Sequence, residues 1–151
     1  MKPTIGKKKD DLLRLDRQVC FPLYAATNLL TRTYRPLLEP LGLTYSQYLV
    51  MLVLWERSPA SVGELGECLH LDSGTLTPLL KRMELAGLVT RSRDPEDERR
   101  VLVALTPHGQ SLRKAAKSIP EQLRHRLRLS EQAADELRGT VSQLISLLSQ
   151  P

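Results

Sequence analysis

The chain has 151 residues, a length that suits one domain of ordinary size and leaves any larger assembly to other chains. Hydrophobic residues make up 41% and charged residues 26%, too apolar for a disordered chain and too charged for a membrane bundle, and the longest apolar run, residues 48–55, falls far short of a span. Lys and Arg total 22 against 17 Asp and Glu, and the resulting net charge of +5 favours an anionic partner such as nucleic acid.

The charge is uneven. Residues 1–60 carry 9 basic and 5 acidic groups, residues 61–105 carry 6 and 8, and residues 106–151 carry 7 and 4. Any DNA reading by the net-acidic middle third must therefore rest on where individual charges sit. Two cysteines, Cys20 and Cys68, are too few for a disulfide scaffold or a closed zinc site, and His70, His108 and His125 stand in no ligand spacing. The sequence predicts no metal and no cofactor. The N-terminal MKPTIGKKKDDLLRL has a basic cluster but no apolar core of a secretory signal, so a cytoplasmic location is expected.

In chain order, residues 1–11 read as a loose basic tail. A long helix is predicted over 21–38, closed by Pro40 and Gly42. Thr44 and Gln47 form a capping box, with Leu43 and Tyr48 placed as a hydrophobic staple, and open a helix that runs to Glu56. After Pro59, Ser61 and Glu64 repeat the capping box for a short helix whose buried stripe is Val62, Leu65 and Leu69. Asp72 caps the next helix, with Leu76, Leu79, Leu80 and Met83 inward and Gly87 as its stop. There the apolar period changes from 3.6 to 2: segments 88–93 and 99–105 are β-prone, and the DPEDE between them is a hairpin tip. Thr106 and Pro107 start another helix. Ser130 caps the last, where Ala134, Leu137, Val141, Leu144 and Leu148 step 3, 4, 3, 4, a narrow seam of the kind that faces another helix.

Short helix, tight turn, second helix and hairpin form a winged helix-turn-helix, so the fold class is mainly α. The second helix is the predicted reader of the major groove. With its apolar face inward, a 100° step turns Gly74, Pro78 and Lys81 outward, flanked by Thr75, Thr77 and Arg82. The Ser73 or Thr75 hydroxyl and the free amides of the first turn suit phosphate. In the hairpin, Arg91, Arg93, Arg99 and Arg100 flank an acidic tip, and Arg91, Arg93 and Arg99, with Asp97, are the wing residues expected to serve DNA binding. A wing in the minor groove needs an arginine held in shape by a carboxylate, and Asp97 with Arg99 fits that pairing.

The string LHLDSGTLTPLLKRMELAGLVTRSRDPEDERRVLVALTPHG resembles the core of the MarR family of dimeric winged-helix regulators, and the match extends from about Asp16 to about Leu148. DSGTLTPLLKR together with DRQVCFPLY and LGLTYSQYLVMLVLWE is similar to the OhrR branch, which senses organic hydroperoxides. The resemblance implies one domain over 1–151, with dimerisation helices at 12–60 and 106–151 around a winged module at 61–105. It further implies a homodimer in which each subunit reads half of a palindromic operator in double-stranded DNA.

Pro22 favours a first helical turn, so Cys20 lies beside a helix N-terminus, where free amides and the dipole stabilise a thiolate. Only the thiolate attacks a peroxide oxygen. The family pattern implies that Cys20 is the peroxidatic cysteine and that Tyr34 and Tyr45 bond its sulfur from the partner subunit, with Tyr24 in the same set. Cys68 is read as a packing residue. Nothing after Cys68 is cysteine, which departs from the two-cysteine subgroup and implies that a low-molecular-weight thiol caps the oxidised sulfur as a mixed disulfide. Two other readings fit the same segments: a MarR-type repressor released by a small aromatic ligand in the cleft under the long helices, and a thiol peroxidase using Cys20. The three segments together imply a peroxide-released repressor that is not an enzyme and does not engage a membrane.

Overall fold

The computed structural model describes residues 11–151, so the basic tail expected over residues 1–11 lies, but for Asp11, outside the described residues. The chain order is α1 (Phe21–Leu38), α2 (Tyr45–Glu56), β1 (Ala60–Ser61), α3 (Val62–Leu69), α4 (Ser73–Leu85), β2 (Val89–Arg93), β3 (Val101–Leu105), α5 (Pro107–Ala116), α6 (Ile119–Leu127) and α7 (Glu131–Leu148). Among the described residues no single helix is long and apolar enough to cross a membrane.

The predicted caps set these bounds. Thr44 Oγ1 accepts from the Gln47 amide at 3.3 Å while the Thr44 amide donates to Gln47 Oε1 at 3.0 Å, and the Ser61 and Glu64 pair repeats both bonds at 3.1 and 2.6 Å. Asp72, Thr106 and Ser130 accept from the third residue of α4, α5 and α7 at 2.7, 3.0 and 3.1 Å. Each such cap contributes about 1 kcal/mol, so the helix starts are fixed locally before any tertiary contact forms. Gly42 and Gly87 end their segments at φ +67° and +72°, the left-handed region that costs glycine nothing.

The core gathers the inward faces of α1 to α6. Leu38, Val50, Met51, Leu54, Leu65, Leu76, Leu80, Met83, Val103 and Ile119 are almost wholly removed from solvent. In α3 only Leu65 of the predicted stripe is fully buried, with Val62 and Leu69 half-buried against it. The Trp55 indole Nε1 donates to the Gly109 carbonyl at 3.0 Å and ties α2 to the start of α5. A Cβ on Gly109 would stand 2.2 Å from the Leu88 carbonyl oxygen, so only glycine lets α5 pass this close to the root of the wing.

Three features depart from the sequence reading. Ala60 and Ser61 form a third strand, β1, paired with β3 through Ala60↔Val103 and Ser61↔Leu102; two residues are too short to show a period of 2. The segment after Thr106 is two helices, because Pro120 lacks an amide to continue α5 and starts α6 instead. Arg99 and Arg100 belong to the wing tip, not to a strand, since the Arg100 amide donates to the Asp97 carbonyl at 2.9 Å and closes a turn. Finally, α7 buries no residue against its own chain: Leu137, Ile145, Leu147 and Leu148 are 40 to 73% exposed, and Ala134, Val141 and Leu144 of the seam only half-covered.

Candidate nucleic-acid interface and thiol site

The turn between α3 and α4 is made by His70 at φ +53°, whose left-handed backbone ends α3, and by Asp72, which starts α4. Gly66 allows the close return, because a Cβ there would meet the Leu71 carbonyl oxygen at 2.7 Å. With Leu76, Leu79, Leu80 and Met83 buried, α4 presents Ser73, Gly74, Thr75, Thr77, Pro78, Lys81 and Arg82 to solvent, the whole predicted set. Pro78 sits inside α4 without breaking it. Among the described residues neither Lys81 nor Arg82 has an ion pair or side-chain hydrogen bond within the chain, so both cations are available to phosphate.

The wing sorts its four arginines. The Arg91 guanidinium donates to Glu84 Oε2 through Nε at 3.1 Å and Nη2 at 2.9 Å, while its backbone amide donates to Glu84 Oε1 at 3.1 Å. This pairing holds the Glu84 carboxyl below the usual carboxylate range. Arg93 Nη1 donates to the Glu98 carbonyl at 2.8 Å. Arg100 reaches Asp94 at 3.3 Å and Glu64 at 3.8 Å. Arg99 alone makes no side-chain hydrogen bond or ion pair among the described residues.

The predicted Asp97–Arg99 pairing is corrected in its atoms. Asp97 Oδ1 accepts from the Arg99 backbone amide at 3.1 Å, so the carboxylate orders the tip backbone and leaves the guanidinium unheld. The turn closed by the Asp97 carbonyl explains this, because it brings the Arg99 amide to the carboxylate first. Glu64, Glu84, Asp94 and Arg100 were absent from the predicted site. Their spacings are those of ordinary surface charges, and only the packing of β2 and β3 against α3 and α4 brings them together.

Cys20 is the N-cap of α1 and is exposed, with Pro22 in the first turn as the sequence indicated. It stands among exposed apolar neighbours: Val19 at 82%, Phe21 at 38% and Tyr24 at 68%. Tyr34 and Tyr45 stack at a centroid separation of 4.5 Å, and Tyr48 lies 5.8 Å from Tyr34. Burial, reinforced by Tyr45 and Tyr48, pushes the Tyr34 phenol well above its ordinary range, and burial raises Tyr45 as well. Both hydroxyls therefore remain protonated donors in neutral solution.

Tyr34 follows Cys20 by 14 residues along a continuous helix, which at 1.5 Å per residue separates them by roughly 20 Å. One chain does not bring this tyrosine pair to its own thiol.

Cys68 is corrected too. It is exposed, not packed, and its sulfur accepts from Arg57 Nη2, because α3 turns position 68 away from Leu65. A cleft of about 260 Å³ opens between α2, α5 and α6, with Tyr48, Leu52, Trp55 and Pro120 on its walls and Arg113 and Lys117 as its cations.

A family model described as MarR family matches residues 43–101. The organic hydroperoxide resistance transcriptional regulator of Bacillus subtilis is 48% identical over 142 residues, covering 94% of this chain and 95% of its own. Among solved structures, reduced AbfR bound to DNA matches at TM-score 0.76 and 34% identity, covering 94% of this chain and 99% of that one. The disulfide form of AbfR matches at TM-score 0.64 and 37% identity, covering 93% and 98%.

Proposed function

The chain belongs to the MarR family and is a transcriptional regulator; from that premise we propose that it is a homodimeric repressor which leaves a palindromic operator when an organic hydroperoxide oxidises Cys20. The observation that carries this reading is the division of the thiol site. Cys20 is exposed at a helix N-terminus within an uncovered apolar patch, whereas Tyr34, roughly 20 Å further along the same helix, stacks on Tyr45 at the start of α2. A second copy with its α1 antiparallel to the first places Tyr34 and Tyr45 of each subunit at the thiol of the other and covers Val19, Phe21 and Tyr24. The unburied face of α7 supplies the rest of the interface, and residues 61–105 form the reading module between the dimerisation regions 12–60 and 106–151.

The chemistry balances with two co-reactants, the hydroperoxide and a low-molecular-weight thiol. The Cys20 thiolate attacks the hydroperoxide; the O–O bond breaks, an S–O bond forms, and the alkoxide takes a proton to leave as an alcohol. The sulfur becomes a sulfenic acid, oxidised by two electrons. A low-molecular-weight thiol then displaces water and leaves a mixed disulfide at the subunit seam. Its bulk shifts α1, and the two α4 helices lose the separation of about 34 Å that successive major grooves require. Each event leaves one thiol capped until it is reduced, so in this reading the protein acts as a sensor and not as a peroxidase. The better fit to the two DNA-bound AbfR structures, reduced and overoxidised, than to the disulfide form supports the view that formation of a disulfide, and not oxidation of the sulfur alone, moves the fold away from its DNA-binding shape.

The direct test is operator release titrated with an organic hydroperoxide. The cleft by α6, with its aromatic walls and two cations, supports a second reading in which an aromatic acid triggers release, and a parallel titration with phenolic acids separates the two.

Two variants probe the parts. Arg99→Ala is expected to weaken operator binding by about 1 to 3 kcal/mol with the dimer intact, since Arg99 is the wing arginine without an internal partner. Anisotropy at two salt concentrations measures it, and unchanged affinity removes the wing from recognition. Tyr34→Phe or Tyr45→Phe takes away a donor that stabilises the thiolate, so oxidation of Cys20 is expected to slow while reduced DNA binding stays near that of the parent. Stopped-flow oxidation across pH checks this; parental rates in both variants would remove the tyrosines from the sensor.

A further inference from the structure

We propose that Arg91 and Arg100 do not contact DNA but position the wing, and that the Glu84–Arg91 pair and the Glu64–Arg100–Asp94 triad fix its angle to α4. By sequence Arg91 reads as one of the wing's DNA-binding arginines; the geometry gives it another task. Three hydrogen bonds join Arg91 to Glu84, one of them from the backbone amide at the middle of β2. To reach a phosphate the guanidinium would have to give up a two-point bond to a carboxylate, which remains half-buried with it at 37 and 26% side-chain exposure.

The wing needs such a restraint. It leaves α4 through Gly87, where the Gly87 and Leu88 amides donate to the Glu84 and Met83 carbonyls and Thr106 Oγ1 donates to the Gly87 carbonyl, but these bonds hold only the root of the wing and leave its outer part to other contacts. The strand β1 holds only the root of β3, at Val103 and Leu102. Further out, Asp94 is 8% exposed, accepts from the Glu96 amide at 3.0 Å, and faces Arg100, which also reaches Glu64. Glu64 is already fixed by its bond to the Ser61 amide at the start of α3. One strut therefore runs from the end of the reader helix to β2, and the other from the first helix of the turn to the wing tip. Together they set the distance between the α4 face in the major groove and Arg99 in the minor groove, and so the offset between the two sequence elements that one subunit reads.

This inference rests on the reading of Arg99 as the minor-groove contact. The test is a double-mutant cycle with Glu84→Gln and Arg99→Ala, read as operator affinity of the reduced dimer by anisotropy, with thermal melting as a check on the fold. Glu84→Gln removes the charge and one acceptor but frees Arg91, so the two roles predict opposite results. The struts predict that Glu84→Gln weakens binding about 3- to 10-fold with Arg99 present and has no effect once Arg99 is alanine. The charge swap Glu84→Arg with Arg91→Glu should recover affinity. Unchanged or tighter binding by Glu84→Gln would overturn the proposal, as would an equal loss in both backgrounds. Full affinity of Arg99→Ala alone would remove the wing contact and the struts with it, whereas a loss there with no effect of Glu84→Gln removes only the struts. Should Glu84→Gln melt early, Arg91→Lys carries the same cycle, because it keeps a cation for phosphate and loses the two-point bond.

Discussion

Cys20→Ser is expected to bind the operator with the parent's affinity and to remain bound at hydroperoxide doses that clear the parent from DNA. The substitution removes one exposed sulfur at the end of α1 and touches neither the core nor the α4 surface, so stability should change by less than about 0.5 kcal/mol. What disappears is the nucleophile. A serine hydroxyl does not ionise near neutral pH, and the helix N-terminus that stabilises a thiolate has nothing to stabilise in its place. Cys68→Ser should respond like the parent: its sulfur, on α3, faces Arg57 at the end of α2, and the proposal gives it no part in sensing. Gel-shift or anisotropy titrations of both variants measure this. Normal release by the Cys20 variant, or loss of release in the Cys68 variant, would move the sensor elsewhere and favour the ligand cleft.

Leu144→Asp is expected to give monomer or aggregate and to lose nearly all operator binding. The α7 seam leaves Leu137 and Leu148 largely exposed in one chain and Leu144 half-covered, and Ile145 and Leu147 are exposed on either side of it. Burying each exposed side chain contributes about 1.5 to 3 kcal/mol. Two copies therefore gain on the order of 10 kcal/mol or more, enough to offset the roughly 4 to 15 kcal/mol cost of association. A carboxylate at the centre of that surface is desolvated without a cation opposite it and costs several kcal/mol in each subunit. Operator binding falls with the dimer, since one winged module alone makes half the contacts. Sedimentation velocity decides the matter, and a folded variant that still sediments as a dimer would show that the seam is not the interface.

The sequence was most informative where structure is local. Thr44 with Gln47, Ser61 with Glu64, and Asp72, Thr106 and Ser130 each cap a helix through a residue three positions away, a distance at which spacing alone carries the geometry. The exposed surface of α4 followed in the same way, because four inward positions determine the outward ones. What escaped was non-local. Glu84 finds Arg91 across a turn, Arg100 finds Glu64 from 36 positions away, and a two-residue β1 is recognisable only by its pairing with β3. Cys68 misled for a related reason: an apolar residue type on a short helix suggests packing, yet its face is set by what α3 meets. The thiol site lies between these cases. Cys20 at a helix start was legible from Pro22, whereas the tyrosine pair was implied only by resemblance, and the distance of Tyr34 from Cys20 along α1 keeps it from the thiol of its own chain.

The central claim joins one chemical event to one physical outcome, so the most direct measurement reads both in a single sample. The reduced dimer on its operator is treated with increasing organic hydroperoxide in the presence of a small thiol, and at each dose operator occupancy is recorded beside the mass of the Cys20 and Cys68 peptides. The account predicts that release rises in proportion to thiol adduct on Cys20, with Cys68 unmodified, and that reduction restores both the mass and binding. Release while Cys20 remains a free thiol, or full occupancy with Cys20 completely converted to the mixed disulfide, would contradict it.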